Sequence, residues 1–280
     1  MFRSAVALIL AGVLLASRSA SSLEFGFTPV LSEAEMRAEF EPLTAYLTEA
    51  IGQKVSLYIA KDYGDLRTQM EAGRVEIGSF SPFAYVDAAQ GGKIRIIAQS
   101  ILDGSATYRG LVVTRKDSGL KAVADLRGKS FAFVDPKSAS GYVYPRAMLI
   151  EMGVDPEHFF KETVFAGGHD KVIAAVLDGR VDGGAIYDGA RDVAKAKGMR
   201  SEDLTPVAST EPIPHDAIAV SAALDADLTR KIQAALVALD KSPVGRAVIE
   251  RSTKKLTGYV VAEDRLFDVV RRTAKVANLR

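Results

Sequence analysis

The segment Leu23-Glu-Phe-Gly-Phe-Thr28 is followed by apolar positions at Met36, Phe40, Leu43, Leu47 and Ile51, a stop near Gly52, and then Val55-Ser-Leu-Tyr-Ile59. The apolar spacing changes from two to between three and four and back to two. Period two is a strand with one covered face, and the longer period is one stripe of a helix, so the stretch reads as strand, helix, strand. Two strands joined through a helix are parallel neighbours in a sheet. The same alternation continues outward. Further strands are expected at Val75 to Phe80, Lys93 to Ser100, Arg109 to Thr114, Ser130 to Val134, Phe160 to Phe165, Gly183 to Tyr187 and Asp216 to Val220. Helices are expected from a cap at Asp62 to Gly73, over Pro82 to Ala89, from near Gly141 to Gly153, over His169 to Leu177, in a segment through Lys197, and over Ala226 to Asp240, Val244 to Arg251 and Glu263 to Ala277. This many units fit two α/β halves, each a mainly parallel sheet flanked by helices, better than one sheet. No fixed-period repeat supports a solenoid.

The chain has 280 residues, 48% apolar and 25% charged, an ordinary globular composition. Lys plus Arg number 36 against 35 Asp plus Glu, a net charge of +1, so no long-range field recruits nucleic acid. Any preference for an anion must be built locally. Arg3, the apolar run Ala5 to Ala16 and the small residues Ser17 to Ser22 read as a secretory signal over residues 1–22, with cleavage expected between Ser19 and Ser22. The run is about a dozen residues, short of the ~20 that span a bilayer. Without a cysteine after it, no lipoprotein anchor is expected, and the chain contains no cysteine for disulfides. The expected location is the periplasm.

Ligands of α/β sheets sit beyond the carboxyl ends of strands, where loops meet helix N-termini, so polar residues there are the candidates. Phe133-Val-Asp-Pro-Lys-Ser-Ala-Ser-Gly-Tyr-Val-Tyr-Pro145 is a strand end, a polar turn and a helix start. Ser138 and Ser140 place two hydroxyls beside the unpaired amides of a first helical turn, which suits an oxyanion, and Gly141 lets the backbone come close. Plain N-capping by Ser140 is the competing account. His169, in Ala166-Gly-Gly-His-Asp170, also opens a helix after a strand. It is a neutral donor to the same anion, or else a cap or a partly buried packing residue. Asp216, in Glu211-Pro-Ile-Pro-His-Asp216, heads a strand after a rigid turn. A carboxylate facing an anion makes sense if the anion carries a P–OH, whose proton it accepts and which sulfate lacks; an Asx turn is the alternative. Tyr63, in Lys61-Asp-Tyr-Gly64, and Tyr108, in Thr107-Tyr-Arg109, follow strands and offer phenol donors, or else half-buried packing. His158 and His215 read as surface or loop residues.

At these residues the chain resembles the phosphate, phosphite and phosphonate solute-binding proteins of ABC importers, in the type II periplasmic binding protein fold. The resemblance covers essentially the whole mature chain, most specifically Asp135-Pro-Lys-Ser-Ala-Ser-Gly-Tyr142, Gly167-Gly-His-Asp170 with Ala174-Ala-Val-Leu-Asp-Gly-Arg-Val-Asp182, and Pro212-Ile-Pro-His-Asp216. It implies that Tyr63, Tyr108, Ser138, Ala139, Ser140, His169 and Asp216 hold a phosphorus oxyanion. Ala139 stands where some phosphonate binders carry a threonine hydroxyl, leaving only its backbone amide. Where aminoalkylphosphonate binders place an acid, this chain has Ala185-Ile-Tyr-Asp-Gly189, in which Asp188 serves only with a one-residue shift and Tyr187 otherwise fills the space; these two are the candidate contacts to a substituent, and the departure counts against an aminoalkylphosphonate. The resemblance also implies a first lobe over 23–112 plus 215–280, a second over 113–214, cleft closure on the ligand, and an ABC permease in the inner membrane as partner, with the binding protein a monomer.

An enzyme using Ser140, His169 and Asp216 as nucleophile, base and orienter is disfavoured, because Ser138-Ala-Ser-Gly141 lacks the glycine two before the serine of a nucleophile elbow. With no cysteine, three scattered histidines and no His-Glu-x-x-His, neither a metal nor a cofactor is expected. A periplasmic protein reporting to a membrane sensor remains the alternative to transport.

Overall fold

A computed structural model describes residues 22–279. The expected signal segment lies outside them except for Ser22. The described residues form thirteen strands: β1 (Leu23–Phe27), β2 (Val55–Ile59), β3 (Ile77–Phe80), β4 (Ile94–Leu102), β5 (Thr107–Tyr108), β6 (Gly110–Arg115), β7 (Ser130–Phe133), β8 (Glu162–Phe165), β9 (Gly183–Tyr187), β10 (Leu204–Ser209), β11 (Ile213–Pro214), β12 (Ala217–Ser221) and β13 (Leu256–Val261). They make a six-stranded sheet in the order β13-β4-β12-β3-β1-β2, a five-stranded sheet in the order β10-β6-β9-β7-β8, and a ribbon of β11 with β5. In the first sheet β1 to β4 run one way and β12 and β13 the other. In the second, β7 to β10 run together and β6 opposes them. Most strands of each sheet thus share a direction, as the helix-linked alternation predicts.

The chain passes from the first sheet to the second just before β6 and returns after β10. The crossing segments meet in the ribbon, where Ile213 faces Tyr108 and Pro214 faces Thr107. Because β6 belongs to the second sheet from Gly110 onward, the expected break after Val112 falls inside a strand; the crossing itself is the ribbon.

Helix Glu33–Ile51 starts with Ser32, whose backbone N–H donates to the Glu35 carboxylate at 2.9 Å, so the first turn is closed by its own sequence. Its apolar stripe, with Met36 and Leu47 fully buried, packs on Phe25, Phe27 and Ile77 of the first sheet and on Ile232 and Leu236. On the opposite face Phe80, Phe83 and Tyr85 share a core with Tyr144 and Ala147 of the second unit and with Phe267, Val270 and Ala274. Each such large side chain, fully buried, contributes about 1.5–3 kcal/mol. The closing helix Asp268–Val276 therefore packs on both Pro82–Ala89 and Tyr144–Glu151, and ties the backs of the two units together.

The helix expected from Gly141 to Gly153 is divided. Ala139–Val143 is a single π-helical turn, and the regular helix is Tyr144–Glu151. Such turns widen the backbone where a site needs the amides moved. Gly141 is required in it, because a Cβ there would lie 2.4 Å from Val134 and 2.8 Å from the Ser138 hydroxyl.

Candidate functional site

One cleft of about 820 Å³ lies between the sheets, lined by residues from both. Tyr63, Tyr108, Ser138, Ser140, His169, Tyr187, Asp188 and Asp216 all reach it, from positions as far apart in the chain as Tyr63 and Asp216. Ala139 does not. Its methyl is buried with Phe83 and Tyr85, so this residue offers the turn only its main chain.

Ser138, not Ser140, caps the π-turn: its Oγ accepts the Gly141 N–H at 3.1 Å. Capping uses an oxygen lone pair and leaves the Ser138 O–H proton free to donate elsewhere. Ser140, relieved of the capping role, is equally buried at 2% exposure. Both hydroxyls sit at the opening turn of a helix, where unpaired amides make a positive pole.

His169 is the first residue of helix His169–Leu177 and is buried. Its Nδ1 accepts the backbone N–H of Tyr187 at 3.3 Å. Burial, with the Lys254 charge adding to it, pushes the imidazole pKa down to about 3, so the ring is neutral and carries its proton on Nε2. The Tyr187 ring stands edge-on to it, with centroids 4.8 Å apart.

Tyr63 is buried against second-unit residues such as Val134 and Ile173. Burial raises its phenol pKa, the Asp216 charge adds to the rise, and the Ser138 hydroxyl works the other way. Tyr108 is shifted up in the same way by burial and then by Asp216, with Ser140 opposing. Both phenols therefore keep their protons and act as donors. Asp216 stands just before β12, and its backbone carbonyl accepts the Ser100 N–H at 3.1 Å. Its carboxylate lies 3.7 Å from the Lys254 ammonium.

Three lining residues were not among those the sequence singled out. His215, expected on a loop surface, stacks on Tyr108 with ring centroids 4.9 Å apart and lines the cleft. Ser81 is buried at the end of β3, ahead of Pro82, and donates to the Lys137 carbonyl at 3.3 Å. A serine between a strand and a helix-starting proline is the pattern that could have marked it. Lys254 arrives through the fold alone. By contrast, His158 is exposed, as expected, and is bonded to Asp155.

Residues 25–267 match the family described as ABC transporter, phosphonate, periplasmic substrate-binding protein. The chain belongs to this family. Its members are substrate-binding proteins rather than enzymes, which removes the hydrolase alternative. The Phosphate-import protein PhnD of Mycolicibacterium smegmatis is 35% identical over 170 residues, 57% of this chain and 53% of that protein. The match thus spans about half the length of that relative. The Phosphonates-binding periplasmic protein of Escherichia coli is 28% identical over 247 residues, 84% of this chain and 71% of that protein. The structure of PhnD1 from Prochlorococcus marinus in complex with methylphosphonate superposes with a TM-score of 0.83 at 20% identity, covering 92% of this chain and 98% of that one, a likeness of fold.

The Asp188 carboxylate, a candidate substituent contact, accepts the backbone N–H groups of Arg109 and Gly189, each at 2.9 Å. Asp188 thus pins a crossing segment to the end of β9. Tyr187 lies against both His169 and Tyr108 and closes the side of the cleft.

Proposed function

We propose that this chain is the exported solute-binding component of an ABC importer for a phosphorus oxyanion, namely a phosphonate, phosphite or phosphate, and that it delivers the ligand to an inner-membrane permease as a monomer. The observation that carries the reading is the convergence of proton donors from both sheets on one cleft: Tyr63 and Tyr108, the Ser138 and Ser140 hydroxyls, and neutral His169, with Asp216 as the acceptor facing them. Five donors and one carboxylate fit an anion that has several acceptor oxygens and one P–OH. The names of the Mycolicibacterium and Escherichia relatives support the same ligand class.

Cleft closure is the second part of the proposal. The lobes are the two sheets with their helices, and the hinge is the ribbon of β5 and β11. Two ion pairs that join the lobes support this reading: Glu35 of the first with Lys197 of the second at 2.8 Å, and Asp192 of the second with Lys255 of the first at 3.1 Å. Ligand contacts made by both lobes favour the closed state over an open one.

A thermal-shift panel of phosphate, phosphite, methylphosphonate, 2-aminoethylphosphonate and sulfate tests the function, since a ligand of the folded state raises Tm by mass action. The proposal expects at least one phosphorus oxyanion to stabilise the protein where sulfate does not. Stabilisation by sulfate alone, or by none of the five, contradicts it.

A further inference from the structure

We propose that Lys254 sets the charge of the anion the cleft accepts: its ammonium, beside Asp216, lets the site take a doubly charged oxyanion that still carries a P–OH, hydrogen phosphate above all, alongside singly charged ones. This rests on reading the cleft as a phosphorus-oxyanion site.

The Lys254 ammonium is placed, not waving. Its side chain is 14% exposed, its Nζ lies 3.7 Å from the Asp216 carboxylate and 6.0 Å from the centre of the Phe40 ring, and it lines the cleft. The loop that carries it is fastened from beneath. Buried Glu39 accepts the Thr253 backbone N–H at 2.8 Å and its hydroxyl at 2.7 Å, and also the Ser252 hydroxyl. A lysine held this way keeps its charge at one point of the wall with little rotamer freedom left to lose.

Among the described residues, the groups packed around Lys254 leave it as the cation beside Asp216. Asp216 and Glu39 are carboxyl groups, Tyr259 is a phenol, and burial pushes the His169 and His215 rings toward their neutral forms. Arg251, Lys255 and Lys197 also line the cleft, but Arg251 and Lys255 are exposed and screened by water, and Lys197 is paired with Glu35 at 2.8 Å.

The chemistry then divides between two residues. Asp216 counts protons: an anion without a P–OH leaves its carboxylate facing bare oxygens. Lys254 counts charge: it offsets Asp216, so that a second negative charge on the ligand meets a neutral pair rather than a lone carboxylate. Singly charged phosphite, phosphonate and dihydrogen phosphate satisfy Asp216. Of their doubly charged forms, hydrogen phosphate alone keeps the P–OH, and it is the form that requires Lys254.

The test is calorimetric titration of the purified protein with phosphate on either side of the phosphoryl group's second ionisation, at about pH 5.5 and about pH 8, for wild type, Lys254→Met, Lys254→Gln and Lys254→Arg. Wild type should bind phosphate at both. The Met and Gln variants should lose roughly tenfold more affinity at about pH 8 than at about pH 5.5, and Arg should recover most of it. Equal losses at the two pH values, no loss, or a wild type that binds at about pH 5.5 and not at about pH 8 each overturn the role of Lys254. A wild type that binds no phosphorus oxyanion at either pH overturns the reading of the site itself. Melting curves check that the variants fold, and Gln stands in should Met fail.

Discussion

The Nδ1 atom of His169 accepts the backbone N–H of Tyr187 across 3.3 Å, from the last residue of β9 to the first residue of the helix before it. This bond decides the tautomer. With Nδ1 occupied as an acceptor and the ring neutral, the proton sits on Nε2, and the histidine is a donor. One main-chain bond thereby turns a buried imidazole into a fixed element of an anion site. It also links Tyr187, which walls the cleft, to the helix that carries His169.

The pH dependence of stability follows. An unfolded histidine has a pKa of about 6.5, whereas in the folded chain that of His169 is pushed down to about 3. A depressed pKa contributes stability that is present above the unfolded value and lost as pH falls toward the folded one. Between about pH 6.5 and pH 3 the unfolded chain takes up a proton at this site that the folded chain refuses. Denaturant melts over that range should show His169→Gln flattening the fall in stability by about one proton's worth, about 1.4 kcal/mol per pH unit.

Asp216→Asn should weaken binding of phosphite and methylphosphonate while leaving or improving sulfate. The amide cannot reproduce an ionised acceptor for the P–OH, and charge-assisted bonds of this kind are worth about 1.5–3 kcal/mol. Competition titrations read the ratio directly. An unchanged ratio between sulfate and the phosphorus anions removes the proton-acceptor role.

The pairs across the cleft mouth should govern release. Glu35 and Lys197 are part-exposed, so that pair is worth at most about 1 kcal/mol, while Asp192 and Lys255 are exposed and more fully screened by water. Lys197→Ala should raise the ligand off-rate about threefold in stopped-flow at low salt. The difference should shrink as salt is added.

Gly141→Ala should cost stability and affinity together. The added methyl would sit 2.4 Å from Val134 and 2.8 Å from the Ser138 hydroxyl, so the turn must shift. Overpacking of this kind costs about 1–3 kcal/mol. A Tm unchanged from wild type would show that the turn relaxes freely.

The alternation of spacing gave the strands and helices that build the two sheets, because covered strands and amphipathic helices write their burial into the order of residues. What it did not give were mostly edge strands. β10 contains Pro206 and a register shift between Pro206 and Ala208, and β13 has one between Leu256 and Gly258, where Gly258 has φ 153°. Both lie at sheet margins, where bulges and proline erase the period-two signal. The site was readable where its residues lie just beyond strand ends, as Ser138 and His169 do, or head a strand after a rigid turn, as Asp216 does. Lys254 was not, since its place in the wall depends on buried Glu39 holding the Ser252-Thr253 loop inward, a contact between distant parts of the chain. Nor was His215, which becomes part of the wall only because the crossing ribbon brings Tyr108 beneath it.

Calorimetric titration of the double variant Ser138→Ala with His169→Ala tests the convergence of donors most directly. Wild type should bind at least one phosphorus oxyanion, and removing two second-lobe donors should lower that affinity at least about a hundredfold, with the fold retained by circular dichroism. Affinity within a few-fold of wild type would place the anion somewhere other than this cleft.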